Sequence, residues 1–246
     1  LPILMDARRC VVNEQWRYLA SVERAREFFK DGAIGDIVSI HLGGKGREPW
    51  TEFQRIGTHL LSVAIHTFLH RDVINGCSAV ATDWLGQFSQ MLVHLPEPSA
   101  IVAVWETDCA VPIYAELYDA GYDVRKCFLE VRGTRGRIKL IGGLLEGLWV
   151  SHQPADTVDQ VGAWERLPVD GMWDIHPGDE QRALLDPNMN STFSLWDSFE
   201  RMALEEIDPS DVLSPAKEYT DIAVAAELLV ASVNRKGAVV TQDDLG

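Results

Sequence analysis

Apolar residues recur along this chain at two periods, and the switching between them predicts its elements. From Ser21 the period is helical, with Val22, Ala25, Phe28 and Phe29 on one side and Gly32 placed as a C-terminal glycine cap. Ile37 to Leu42 reads as a strand that runs into a glycine-rich basic loop, Gly43-Gly-Lys45-Gly-Arg47-Glu-Pro-Trp50. A helix over 58–70 follows. Val73 to Leu85 reads as one long strand. Phe88 to Leu95 and Ala100 to Thr107 read as a hairpin pair across Pro96-Glu-Pro-Ser99, with the partial alternation of a sheet covered on one face. Val124 to Arg132, Arg137 to Ile141 and Leu144 to Val150 form an antiparallel meander. Residues 152–192 show no clear period apart from an edge strand near Trp164 to Leu167. Helices are predicted over 193–206 and 218–235, the second with Ile222, Ala226, Leu229, Val230 and Val233 on one stripe. Gly237 stops it before a short strand at Ala238 to Val240. At the start, Ile3 to Arg9 reads as a helical end. Cys10 to Glu14 reads as a strand leading into the polar and aromatic cluster Asn13-Glu-Gln-Trp16-Arg17-Tyr18.

The sum is an α+β fold, an open, mainly antiparallel sheet with helices 21–31, 58–70 and 218–235 on one face. A bare apolar second face is an aggregation liability, so a partner subunit is expected to cover it. Composition changes this picture little. At 246 residues, 46% hydrophobic and 24% charged, the chain can bury a sizeable core. Its net charge of −15 repels phosphate backbones and anionic membranes, which argues against nucleic acid as a partner. No apolar run reaches the roughly 18 residues of a membrane span. Cys10, Cys77, Cys109 and Cys127 are scattered, without close ligand spacing, as reduced thiols of a cytoplasmic protein would be.

Candidate chemistry gathers in Arg55-Ile-Gly-Thr-His59-Leu-Leu-Ser62-Val-Ala-Ile-His66-Thr-Phe-Leu-His70, which holds three of the seven histidines. Steps of seven and eleven residues return to within about 20° on a helix, so the three share a face. His66 and His70 have the i, i+4 spacing of a metal pair, but no third ligand is indicated, and packed or surface histidines are the expectation. Lys45 and Arg47, helped by Arg55, could recognise a carboxylate or phosphate, or could simply form a solvated basic loop. Trp149, Trp164 and Trp173 read as packing at the sheet or an interface, with a sugar-stacking wall as the alternative.

The order of motifs resembles the second domain of the Gfo/Idh/MocA oxidoreductases. The resemblance rests on Val12-Asn-Glu-Gln-Trp-Arg-Tyr18, then Gly32-Ala-Ile-Gly35-Asp-Ile-Val-Ser-Ile-His41, then the Gly57-Thr-His59-Leu-Leu helix start. Val131-Arg-Gly-Thr-Arg-Gly-Arg-Ile138 and Ala231-Ser-Val-Asn-Arg-Lys-Gly237 complete it, so that it covers most of the chain from Val11 on. It implies that residues 1–9 are the end of a preceding helix and that 10–246 form one domain for substrate binding and oligomerisation. It also implies dependence on NAD or NADP, a sugar, cyclitol or similar polyol as substrate, and a Rossmann-bearing chain as a candidate partner. No GxGxxG turn offers a phosphate cradle, and no Glu-Lys-Pro motif is present. By resemblance His59 is the catalytic candidate, and Asn13, Trp16 and Arg17 line the pocket. Arg55 and Ser62 stand where many such dehydrogenases have aspartates around that histidine. His59 is therefore expected to lack its carboxylate partners. Two functions follow: the substrate domain of such an oxidoreductase, or a descendant without dehydrogenase activity that binds, builds or works without a cofactor. A metal-dependent hydrolase or lyase using the histidine face is a distant third.

Overall fold

The computed structural model describes residues 12, 14–46, 53–69, 74–82, 100–119, 127–141, 147–152, 163–169, 187–208 and 219–245. Nine strands form one open sheet in the order β8-β7-β6-β5-β1-β4-β3-β2-β9. In chain order they are β1 (Ile37–Gly46), β2 (Ile74–Thr82), β3 (Ala100–Thr107), β4 (Ile113–Asp119), β5 (Phe128–Gly133), β6 (Gly136–Ile141), β7 (Gly147–His152), β8 (Glu165–Leu167) and β9 (Val240–Thr241). All neighbours are antiparallel except β1 and β4, which run parallel at the centre, with Ile40 opposite Ile113. A parallel pair cannot be closed by a tight turn. Between its two strands the chain leaves the sheet, builds a helix, and returns through β2 and β3.

Alternation sorts the sheet into two chemically different faces. Ile40, Leu42, Ile101, Ala103, Trp105, Ile113, Ala115, Leu129, Val131, Ile138 and Leu140 are buried on one face. Helices α1 (Ala20–Lys30), α2 (Thr58–Val63) and α4 (Tyr219–Asn234) supply the rest of this core. Trp105 anchors it: its indole N–H donates to the Ala225 carbonyl at 2.9 Å, and its ring stacks on Phe53 at 6.1 Å. The other face carries His41, Tyr114, Glu116, Glu130, Arg132, Arg137 and Lys139. It is not the bare apolar face expected, because Glu116, Glu130, Arg132, Arg137 and Lys139 stand on it beside Tyr114 and Phe128.

Four further differences have local causes. Gly43 to Gly46 continue β1 rather than forming a loop, since glycine is what the close packing there requires. A Cβ on Gly43 would lie 2.6 Å from the Phe128 ring and 3.0 Å from the Glu116 carbonyl. β4 has no counterpart among the expected elements, although Ile113, Ala115 and Leu117 alternate with Tyr114 and Glu116 in plain period-two fashion. Helix α3 (Pro187–Ala203) starts ahead of Phe193, with proline in its first position. The buried stripe of α4 is Ile222, Ala225, Leu228, Leu229, Ser232 and Val233, whereas Val230 is exposed. The meander β5–β7, the edge strand β8 and the cap at Gly32 match expectation. Residues 1–9, 83–85, 88–95, 124–126 and 144–146 lie outside the described residues.

Candidate functional site

Glu14 precedes a 3₁₀ turn, Gln15–Tyr18, and its carbonyl accepts the Arg17 amide at 3.2 Å. That turn aims Glu14, Trp16 and Arg17 inward, and all three are buried. Facing them is the helix around His59. It is not a uniform α-helix: π-helical turns, Phe53–Gly57 and Ala64–Phe68, flank α2. Single π turns inside helices are uncommon and recur at functional sites, because the widened turn re-aims the side chains that follow it.

The two segments meet at His59. Its Nδ1 lies 2.9 Å from Glu14 Oε2, and its ring stacks on Trp16 with centroids 5.1 Å apart and planes 21° from parallel. Glu14 is 3% exposed and His59 21% exposed, so the carboxylate is out of water while part of the imidazole remains in it. Next to His59, Thr58 hydrogen-bonds the Tyr219 phenol at the start of α4. Burial, and then the nearby Glu14 charge, push that phenol's pKa up, while the Thr58 bond opposes them. Ser62, one turn on, is buried, and its hydroxyl has no hydrogen-bond partner among the described residues.

The expectation that His59 lacks a carboxylate partner is therefore wrong. Arg55 and Ser62 do flank it in sequence, but the carboxylate comes from Glu14, 45 residues upstream. Glu14 stood in the cluster that drew attention to Trp16 and Arg17, yet nothing in the sequence paired it with His59. Thr58 and Tyr219 were missed in the same way. Of the other expected residues, Trp16 touches His59 and Arg17 is buried in the same turn. Arg55 belongs by its backbone to the π turn before His59, and Lys45 by its backbone to β1, opposite Tyr118. The side chains of Arg55 and Lys45, like Asn13, Arg47, His70 and Trp173 entire, lie outside the described residues. His66 sits in the second π turn, and no group of three or more metal-ligating side chains occurs among the described residues. Trp149 is on β7 and Trp164 precedes β8, on the meander side of the sheet.

A concavity of about 250 Å³ lies elsewhere, on the charged sheet face, lined by His41, Tyr114, Phe128, Glu130, Arg132 and Lys139 among others. Its polar groups satisfy one another. Glu130 accepts from Arg132 Nε at 2.8 Å, with Lys139 at 3.5 Å and Arg137 at 3.8 Å. The Lys139 ammonium lies over the Phe128 ring, and His41 stacks on Tyr114 and hydrogen-bonds Ser39. Burial, and then Arg132, lower the His41 pKa. Of the two places, the His59 cluster is the better candidate for chemistry. It joins a buried carboxylate to a histidine that still reaches solvent.

No protein-family model and no curated protein sequence matches the chain. Solved structures do. An inositol dehydrogenase homolog from Azotobacter vinelandii, complexed with NADH and myo-inositol, is 16% identical with a TM-score of 0.65 over 94% of this chain and 64% of its own. A levoglucosan dehydrogenase complexed with NADH and levoglucosan is 18% identical, with a TM-score of 0.63 over 94% and 66%. A super-repressor mutant of Gal80p from Saccharomyces cerevisiae is 15% identical, with a TM-score of 0.63 over 94% and 65%. The chain thus spans about two thirds of the length of each. The fold is that of Gfo/Idh/MocA-type oxidoreductases. No helix among the described residues is long and apolar enough to cross a membrane.

Proposed function

From a fold shared with sugar and cyclitol dehydrogenases, we propose that this chain is the substrate-binding part of an oxidoreductase acting on a polyol hydroxyl or the matching carbonyl. The observation that carries this reading is the Glu14–His59 pair, stacked on Trp16 at the start of a helix. A histidine held by a carboxylate can take the proton of a substrate hydroxyl and return it to a carbonyl oxygen, which is general acid–base work at one atom. An aromatic wall beside it suits the apolar face of a sugar or cyclitol ring. Trp16 and Arg17 line the site on this reading, with Asn13 beside them in sequence and Lys45, Arg47 and Arg55 as further candidate contacts.

NAD or NADP is the cofactor this reading implies, but the residues here do not fit it. The glycine cluster Gly43 to Gly46, with Lys45 in it, is paired in β1 between β4 and β5, so its backbone is committed to the sheet rather than shaped as a phosphate cradle. The dinucleotide would be held by residues other than those described. A second reading, a binding or regulatory protein without dehydrogenase activity, draws on Arg55 and Ser62 and on the presence of this fold in the Gal80p super-repressor. Under either reading, the charged sheet face, with Val102 exposed on it, is where a second copy of the chain would pack. Sedimentation would show a dimer or larger species, and a strict monomer would remove that part.

Calorimetric titration with myo-inositol, levoglucosan and L-sorbose tests the substrate class. At least one is expected to saturate the chain, and His59→Ala to weaken it about tenfold, or about 1.4 kcal/mol. Binding by none, or equal binding by His59→Ala, would sink the proposal.

A further inference from the structure

We infer that Glu14 is the positioning residue of the site: it holds His59 as the Nδ1–H tautomer and so makes Nε2 the nitrogen offered to a substrate hydroxyl. The inference rests on the reading above that His59 faces substrate.

The chemistry of the pair fixes the direction of the bond. An ionised carboxylate only accepts, so at 2.9 Å from Oε2 the hydrogen must sit on Nδ1. In neutral imidazole the opposite nitrogen is then an acceptor, which is what a hydroxyl proton requires. Burial makes the partner hard to replace. Glu14 is 3% exposed, and water has little access to take over the bond. The Trp16 ring, 5.1 Å away and nearly parallel, fixes the plane in which the imidazole lies. With one nitrogen tied and the plane set, the direction of Nε2 is determined. No hydrogen-bond partner engages Nε2 among the described residues, and the His59 side chain keeps 21% exposure.

The parts come from three separated places in the chain. Glu14 and Trp16 precede α1, Thr58 and His59 open α2, and Tyr219 opens α4, bonded to Thr58 and close enough to Glu14 for the charge to be felt. An ion pair that merely pinned the 3₁₀ turn to α2 would need neither a buried carboxylate nor a stacked ring.

The test is nitrogen-15 NMR of the histidine rings in the whole chain at neutral pH, with wild type, Glu14→Gln and Glu14→Ala, each then titrated with myo-inositol and levoglucosan. Wild type is expected to show His59 as Nδ1–H with an unprotonated Nε2. Glu14→Gln keeps an acceptor oxygen, so it should keep the tautomer and bind polyol within about threefold of wild type. Glu14→Ala should shift the ring chiefly to Nε2–H and weaken polyol binding about tenfold or more. A wild-type ring with hydrogen on Nε2 overturns the inference without any variant having to fold. So does a tautomer that Glu14→Ala leaves unchanged. An Nδ1–H tautomer in wild type that no polyol perturbs upholds Glu14 as the positioning residue and removes the polyol reading alone.

Discussion

Replacing Ser232 by alanine tests whether the helix that carries Tyr219 is fixed to the sheet as described. Ser232 is fully buried; its hydroxyl accepts the Ala79 amide at 2.8 Å and donates to the Ala238 carbonyl at 2.6 Å. Ala79 needs that acceptor because β9 pairs with β2 only at Gly76 and Cys77, which leaves the β2 edge open beyond it. Alanine keeps the volume but strands the Ala79 N–H, a buried donor. The cost of such an orphan is about 1–3 kcal/mol. Ala238 is exposed, so its carbonyl can turn to water and adds little. A loss of about 2 kcal/mol in a chain of this length lowers Tm by about 4–8 °C. Urea denaturation followed by circular dichroism gives the free energy, and hydrogen exchange gives the protection of the Ala79 amide. A loss below about 0.5 kcal/mol, with Ala79 still protected, would mean that the amide has another partner and that α4 is not held to β2 through this hydroxyl.

Two further outcomes concern the charged sheet face. Glu130→Gln removes the one carboxylate shared by Arg132, Arg137 and Lys139; those cations keep 29–42% exposure, so solvent screening cuts the cost to about 1–2 kcal/mol. Urea midpoints at low and high salt should converge, because added salt weakens the repulsion left behind, and an effect indifferent to salt would contradict the ion-pair description. For His41, burial and Arg132 hold the folded-state pKa below the ordinary 6.5. Its contribution to stability is therefore complete above that value and is lost as pH falls below it, because the unfolded chain takes up the proton first. His41→Gln should flatten the fall in urea midpoint between about pH 7 and pH 5, and an unchanged slope would assign the fall to other groups.

How far the sequence could be read depended on the distance over which each feature is decided. The meander from Phe128 to His152 and the edge strand at Glu165 are local, and alternation with turn glycines was enough. β4 is equally local, since Ile113, Ala115 and Leu117 alternate with Tyr114 and Glu116. Gly43 to Gly46 misled because glycine composition speaks for a loop, whereas the packing of Phe128 from β5 decides for a strand. Periodicity placed His59 at a helix start but could not register the π turns around it, which leave no mark in composition. Sequence spacing points to positions 55 and 62 for its carboxylate, whereas the carboxylate comes from Glu14 across the fold. Such a pairing is made by tertiary packing and has no local signature.

Amide and side-chain NMR mapping of a bound polyol tests the central claim most directly, because the two candidate places share no residue. With levoglucosan or myo-inositol added to the whole chain, the saturating changes should fall on the His59 ring, the Trp16 indole, Thr58 and Tyr219. Changes gathered instead on His41, Tyr114, Phe128 and Lys139, or no saturating change at any residue, would contradict the assignment of the site to His59.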